Sequence, residues 1–235
     1  MLDYRSIEHQ LSSQLGLTRR PIAIAFREIP PAGVSKFVGS VPSGCSFWRL
    51  ASEGRTFFTV PSDHYNCAIG AYTHNMPLPA ERATELDATL AFMTSVGYMR
   101  MDEVPGIPVL AKTPGAVIYA PLGDTPVDPD VVMFWGLAAR VMLVQEAAIA
   151  AGVASGVSTF GRPTCMALPA SLTSGVVMST GCAGNRVYTG VEEGELYVAV
   201  PGKHVAKIVD ASAAVKSANA RLREYYEARR QQLSV

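Results

Sequence analysis

The sequence predicts a single α/β or α+β domain over residues 1–235, with a mixed central sheet flanked by helices and a long C-terminal helix. Two observations predict this fold. Segments with strand-like and helix-like patterns alternate along the chain. Apolar residues make up 49% of the chain and charged residues only 17%, so most elements must bury a face in a large core.

The first part of the chain begins with a predicted helix over residues 3–16, in which apolar residues recur every four positions before a glycine. Residues 21–26 form an apolar run typical of a buried strand. A second strand is predicted over 56–60, where a proline follows. Short helices are predicted over 47–52 and 67–72. The part as a whole therefore alternates between strand and helix.

The middle of the chain continues this alternation. An apolar stripe and a following glycine predict a helix over residues 79–97. Strands are predicted over 116–120 and 131–134. Residues 137–151 are apolar on nearly every side of a helix, so this helix is predicted to be buried.

The last part contains two predicted strands and the long helix. The strands cover residues 175–178 and 195–200, and a Pro-Gly turn leads into a helix over 203–232. Its dense run of charges, Arg221 to Arg230, alternates in sign and is typical of a solvated helix face.

The most informative feature of the sequence is the position of its four cysteines. Each lies beside a turn-forming or helix-starting residue, where free backbone N–H groups are expected. A cysteine that only fills a core usually lies within an apolar strand or helix. The positions therefore predict a common ligand set for an iron–sulfur cluster or, alternatively, zinc. The set is Cys45, Cys67, Cys165 and Cys182.

The spacing of the cysteines excludes several common sites. None forms a C-x-x-C pair, which argues against a zinc ribbon, a thioredoxin-like dithiol and a ferredoxin-like motif. Separated loops can still supply the ligands of a cluster. A weak internal echo supports this arrangement, because the first two cysteines are 22 residues apart and the last two are 17 apart. Two related halves that each give two thiols to a shared site would explain the echo.

Cationic and basic side chains near the cysteines are further candidates. Arg49, Arg162 and Arg186 lie three or four residues from a cysteine, where a guanidinium could neutralise a thiolate or bind an anionic substrate. His64 and His74 lie on either side of Cys67 along the chain and could replace a ligand or transfer a proton. We therefore take His64, His74 and Arg186 as candidate catalytic residues.

Two other classes of function compete with a cluster protein. One is a metal-free enzyme or small-molecule binder with a single reactive cysteine. Its cleft would be lined by Trp48, Tyr72, His74, Trp135 and Arg186. The other is a structural partner subunit, which the apolar composition allows.

Charge and hydropathy limit the possible partners and location. The chain has 20 basic and 20 acidic residues and no basic patch, which argues against nucleic acid as a partner. No apolar signal segment and no membrane span are expected. We therefore expect a cytoplasmic protein with reduced thiols, dimeric through its apolar surface.

Six short motifs occur in order along most of the chain. They are Gly44-Cys45, Cys67-Ala68-Ile69-Gly70, Tyr119-Ala120-Pro121-Leu122, Asp130-Val131-Val132-Met133-Phe134, Gly161-Arg162-Pro163-Thr164-Cys165 and Gly181-Cys182-Ala183-Gly184-Asn185-Arg186. Together these motifs resemble the DUF169 family of uncharacterised bacterial and archaeal proteins. The resemblance implies no catalytic residue, since the family name records an unknown function.

The residues themselves predict a protein that binds a [4Fe–4S] cluster through the four cysteines. Its role would be redox chemistry, or Lewis-acid chemistry on a small molecule if one iron is open, as in an oxidoreductase or a lyase. In the second case three cysteines bind the cluster. The acid or base is then one of three residues: the remaining cysteine, His64 or His74.

Overall fold

The computed structural model of the protein describes residues 2–154 and 158–233, in which helices and strands alternate as the sequence predicts. The helices are α1 (Tyr4–Leu15), α2 (Cys45–Ser52), α3 (Ala68–Thr73), α4 (Glu85–Ser95), α5 (Ala138–Ala150), α6 (Ala167–Ser174), α7 (Ala183–Thr189) and α8 (Val205–Gln232). The strands are β1 (Ile22–Arg27), β2 (Phe57–Thr59), β3 (Ala116–Pro121), β4 (Val131–Leu137), β5 (Ser158–Phe160), β6 (Val177–Ser179) and β7 (Glu195–Pro201). Short 3-10 turns lie at Pro61–His64, Ala80–Arg82, Met101–Gly106, Leu122–Asp124, Thr164–Met166 and Gly202–His204.

The strands form one seven-stranded sheet in the order β2-β3-β1-β4-β7-β6-β5. Neighbouring strands are antiparallel, except that β5 pairs with β6 in parallel. The predicted mixed central sheet with flanking helices is therefore confirmed, and so is the long C-terminal helix.

The sheet has a hydrophobic core on each face. Along β1, Ile22 and Ile24 enter one core and Ala23 enters the other, as the alternation of a strand requires. Helices α2, α3 and α6 pack on the first face, and α1, α5 and α8 pack on the second. The elements that carry the cysteines therefore share one face of the sheet.

The two halves of the sheet repeat one pairing pattern around its centre. Strands β1 and β4 pair there, with Ala23 opposite Val132. On one side Ile22 pairs with Pro121 of β3, and on the other Val131 pairs with Pro201 of β7. In each half, the first residue of the central strand is thus opposite the proline that ends its neighbour.

The outer strands repeat the pattern in the same register. Phe57 of β2 pairs with Tyr119, and Val177 of β6 pairs with Ala199. Tyr119 lies two residues before Pro121, and Ala199 lies two residues before Pro201. The three-stranded units β1-β3-β2 and β4-β7-β6 therefore correspond residue by residue.

The ends of β3 and β7 are fixed by equivalent hydrogen bonds. The Leu122 N–H donates to the Pro21 carbonyl at 2.8 Å, and the Gly202 N–H donates to the Asp130 carbonyl at 2.8 Å. Each acceptor directly precedes a central strand. Both strands therefore pass into a 3-10 turn against the start of the central pair.

The structure corrects two predicted helices. The helix predicted over 137–151 is confirmed as α5, but the prediction that it is buried is wrong for one side, since Met142 and Ile149 are 43% and 45% exposed. Helix α5 packs on β4, β7 and α8, which cover only part of its surface. The helix predicted over 79–97 is too long, because Ala80–Arg82 form a separate turn and α4 begins at Glu85.

The sequence patterns did not predict α6, α7 and β5. Helix α6 has eight residues, one of which is Pro169. Helix α7 has seven residues, one of which is Gly184. Both residues disfavour a helix interior and so conceal the pattern. Strand β5 has only three residues, which is too few for a periodicity.

Helix α8 is buried only along its first part, where it packs on α1 and α5. Its buried residues lie between Val205 and Val215, and residues 220–232 are exposed. The predicted solvation of Arg221 to Arg230 agrees with this. No helix in the described part of the chain combines the length and the hydropathy needed to cross a bilayer.

The close contact at Gly202 gives a test of the strand ends. A β-carbon at Gly202 would lie 1.9 Å from the carbonyl oxygen of Pro129, so Gly202→Ala must push the two segments apart. We expect a loss of about 1–3 kcal/mol in the free energy of unfolding, measured by urea denaturation. Gly106 has no atom near the corresponding position, so Gly106→Ala is the control and should change stability by less than about 0.5 kcal/mol. Equal losses in the two variants would contradict the close contact.

Candidate functional site

A cavity of about 780 Å³ lies on the first face of the sheet, and all four cysteines line it. Cys45 and Cys165 are buried, whereas Cys67 and Cys182 are half-buried. The structure therefore brings to one cavity the four residues that the sequence selects as a ligand set.

Each cysteine lies at or near the start of a helix. Cys67 and Cys182 cap α3 and α7, and each sulfur accepts an N–H bond from three residues further on, at 3.4 Å from Gly70 and 3.5 Å from Asn185. Cys45 is the first residue of α2, and Cys165 lies in the 3-10 turn that leads into α6. Free N–H groups at helix starts stabilise negative charge on sulfur.

The two buried cysteines occupy equivalent places in the two halves. Cys45 lies twelve positions before Phe57, where β2 begins, and Cys165 lies twelve positions before Val177, where β6 begins. In each half the second cysteine follows the same strand and caps the next helix. Each half of the sheet thus contributes one buried and one half-buried thiol.

Burial makes it difficult to ionise these thiols. Burial raises the pKa of Cys45 well above its ordinary range, and the other three cysteines raise it further. Burial also raises the pKa of Cys165 and that of Cys67. These three thiols are therefore protonated at neutral pH as long as no cation is bound near them.

Polar groups without partners surround Cys45. The Asn185 amide lies close enough to lower the pKa of Cys45, yet neither amide atom completes a hydrogen bond within the described residues. The Tyr119 hydroxyl is buried and also has no partner there. Burial and the nearby Cys45 raise the pKa of Tyr119. The Tyr119 hydroxyl is a donor suited to a sulfur that carries negative charge.

His74 supports the segment that carries Cys67. Its Nδ1 lies 2.8 Å from the carbonyl oxygen of Gly70 and must donate to it, since a carbonyl only accepts. The Gly70 N–H in turn bonds to the sulfur of Cys67. Burial lowers the pKa of His74 to about 4, so the ring is neutral and its Nε2 has a free lone pair.

His64 lies against the start of α2. A β-carbon at Gly44, the residue before Cys45, would lie 3.1 Å from Nδ1 of His64. Burial and the neighbouring His74 lower the pKa of His64 well below its usual range. Its Nε2 lies 2.8 Å from the hydroxyl of Thr59. Both histidines therefore lie behind the cysteine segments, and neither lines the cavity.

In the second half, hydroxyl groups take the supporting role. The Cys182 N–H donates to the Thr164 hydroxyl at 2.5 Å, and the Ala183 N–H donates to the Tyr98 hydroxyl at 3.3 Å. Thr164 directly precedes Cys165, so this bond joins the two cysteine segments of the second half.

The three candidate arginines have different environments. Arg186 donates to the carbonyl oxygens of Thr180, Glu192 and Glu195, and it does not line the cavity. Arg49 pairs with Glu53 at the surface. Only Arg162 lines the cavity, where it pairs with Glu103 at 3.2 Å. The predicted catalytic role of Arg186 therefore gains no support from its contacts.

The cleft expected for a metal-free thiol enzyme is not assembled at this cavity. None of its five predicted residues lines the cavity, and the two tryptophans pack on Tyr197 in the core. The cavity is instead lined, apart from the cysteine segments, by α4 and the residues after it, including Met93, Val96 and Met99. The sequence gives no signal for this part of the wall. Its mark is that the apolar residues Phe92 and Val96 are exposed, and exposure is known only from the folded structure.

No close group of three or more His, Cys, Asp or Glu side chains that could hold a metal ion occurs in residues 2–154 and 158–233. The four thiols line one cavity but do not form a group of this kind.

The sequence profile of DUF169, described as uncharacterised ArCR, matches residues 10–211. The chain belongs to the DUF169 family. No curated protein and no solved structure matches this DUF169 chain. The matched region includes all four cysteines, His64 and His74, and it ends in α8 before the exposed part of that helix.

The buried His74 predicts a pH dependence of stability. Because its pKa is lower in the folded DUF169 protein than in the unfolded chain, the unfolded state binds a proton first as the pH falls. Stability should thus be full above about pH 6.5 and fall by about 3 kcal/mol towards pH 4.

The variant His74→Asn keeps a donor for Gly70 but cannot titrate. Urea denaturation at pH 7 and pH 4.5 should show a smaller loss of stability in His74→Asn than in the unmodified protein. The surface variant His9→Asn is the matched control and should keep the full loss. An unchanged pH dependence in His74→Asn would show that His74 is not a buried neutral residue.

Proposed function

We propose that this protein binds an iron–sulfur cluster, [4Fe–4S], through Cys45, Cys67, Cys165 and Cys182. The observation that carries the proposal is that two equivalent halves of the sheet each direct two thiols to one cavity. The cluster would serve redox chemistry, or Lewis-acid chemistry on a small molecule if one iron has an open position.

The placement of the thiols suits a cluster. In a cubane cluster each thiolate binds a different iron, so the ligands can come from separate segments around one space. The four cysteines come from four separate segments and line one cavity. Zinc is the alternative, because it also accepts four thiolates.

The surroundings of the thiols also suit bound iron. Three of them are hard to ionise when free, which disfavours a nucleophilic role that needs a thiolate. A nearby iron centre would reverse this preference, as cations do for coordinating thiols. The N–H groups of Gly70 and Asn185 already point at sulfur, and hydrogen bonds to sulfur tune the potential of a cluster.

The two histidines have supporting roles in this proposal. His74 holds Gly70, and His64 contacts Gly44, so each ring fixes the backbone next to one cysteine. In the Lewis-acid form of the proposal, a cysteine that does not bind iron is better placed than either ring to meet a substrate, because the cysteines line the cavity.

Three further expectations belong to this proposal. Free thiols and an iron–sulfur cluster fit a cytoplasmic protein, and the exposed apolar residues of α8 fit a homodimer. The equivalent registers of the sheet support the prediction of one domain with two related halves.

The test is iron and acid-labile sulfide analysis, with a visible spectrum, of protein purified without oxygen. We expect iron and sulfide in equal amounts and a broad visible absorption. Each Cys→Ser variant should lose most of the iron, because four ligands share one cluster. Ser43→Ala, beside Cys45 in the cavity wall, is the control and should keep it.

Buried Cys45 and Cys165 require a second substitution, because serine at a buried site can unfold the protein. Cys→Ala variants with an unchanged far-UV circular dichroism spectrum should also lack iron. A colourless protein without iron or sulfide, or full iron in all four folded variants, would remove the proposal.

A further inference from the structure

The cavity is much larger than the cysteines and a cluster require. It has a volume of about 780 Å³, and the four cysteines take up only one part of its wall. The eight atoms of a cubane core would fill a small share of that volume. Cavities of roughly 300–1,000 Å³ are typical sites for small organic molecules. The remaining space is therefore large enough for a small organic molecule.

Much of the cavity wall apart from the cysteines is apolar and adaptable. Met93 and Met99 come from α4 and the segment after it, and Met166 comes from the turn that holds Cys165. Methionine side chains adjust to ligands of irregular shape. Two other residues of the wall, Phe92 and Val96, remain 66% and 59% exposed. Apolar residues that are exposed around a cavity favour an apolar ligand.

The charges in the wall are already neutralised. Arg162 pairs with Glu103 at 3.2 Å, and Asp102 pairs with Arg100 at 2.9 Å. In the described part of the chain, every charged residue that lines the cavity is a member of one of these ion pairs. Because each of these charges already has an opposite partner, the wall offers no free charge to a charged ligand and favours a ligand without net charge.

Asn185 provides the polar contact. It lines the cavity, is 2% exposed, and has no hydrogen-bond partner for either amide atom in the described residues. A buried amide without partners is costly, and a ligand that both donates and accepts would remove that cost.

We propose that the cavity binds a neutral, mainly apolar organic molecule whose amide-like edge pairs with the side chain of Asn185. The inference rests on the proposed function in one respect: the cluster is taken to occupy the part of the cavity next to the cysteines, and the organic molecule the rest. If the cluster is present, the bound molecule lies next to it as substrate or ligand.

The test uses four probes that share a benzene ring. Benzamide is neutral and polar, toluene is neutral and apolar, benzoate is an anion, and benzylammonium is a cation. Dissociation constants are measured by NMR titration with the anaerobically purified full chain. Benzamide should bind best, and both charged probes should bind at least about tenfold more weakly because their charge has no free partner in the wall. Asn185→Leu should weaken benzamide about tenfold and leave toluene nearly unchanged.

A pair of valine variants shows whether binding occurs in this cavity. Val96→Asp replaces valine by a charged side chain of similar volume in the cavity wall. It should weaken the binding of benzamide and of toluene by about tenfold. Val187 is also exposed but does not line the cavity, so Val187→Asp should leave both constants unchanged. Iron content should be equal in the two variants.

The outcomes separate this inference from the proposed function. Iron without selective benzamide binding, or equal effects of Val96→Asp and Val187→Asp, would overturn the inference and leave the cluster proposal standing. Selective binding in a protein without iron would support the inference and remove the cluster proposal.

Discussion

The antiparallel pairing of β1 with β4 is the contact on which the rest of the structure depends. It is the only strand pairing between the units β1-β3-β2 and β4-β7-β6 in the described residues. Both units build outwards from it in the same register. The helix starts that follow their strands consequently reach the same face of the sheet. A slip of one residue at the centre would move side chains to the opposite face and separate the thiols.

The site combines two opposing requirements, burial and negative charge. Its deepest thiols, Cys45 and Cys165, are held in an apolar core that disfavours ionisation. The same core excludes water from any bound group, which strengthens its interactions with the protein. Unpartnered donors such as the Tyr119 hydroxyl are costly in a metal-free protein and become favourable beside a charged centre. This balance is typical of a site that is completed by its ligand.

Much of the fold was predictable from local patterns, and much of the site was not. Strands β1 and β3 and helices α1 and α8 have long, regular patterns, and their predictions are confirmed within a few residues. Helices α6 and α7 are short and interrupted by Pro169 and Gly184, so local propensity opposed them and tertiary packing decided. The cysteines were recognisable from their neighbours in sequence. The wall around Met93 and the partnerless Asn185 depend on distant contacts, which no local pattern encodes.

The two halves differ in the number of residues between the end of the outer strand, β2 or β6, and the second cysteine. Cys67 is eight positions after Thr59, whereas Cys182 is three positions after Ser179. The longer connection contains the turn Pro61–His64, which brings His64 under α2. The sheet register is the same in both halves despite this difference. The length of the connection between the outer strand and the second cysteine is therefore independent of the sheet register. Evolution can change the position of one thiol, or add a side chain next to it, without changing any strand pairing.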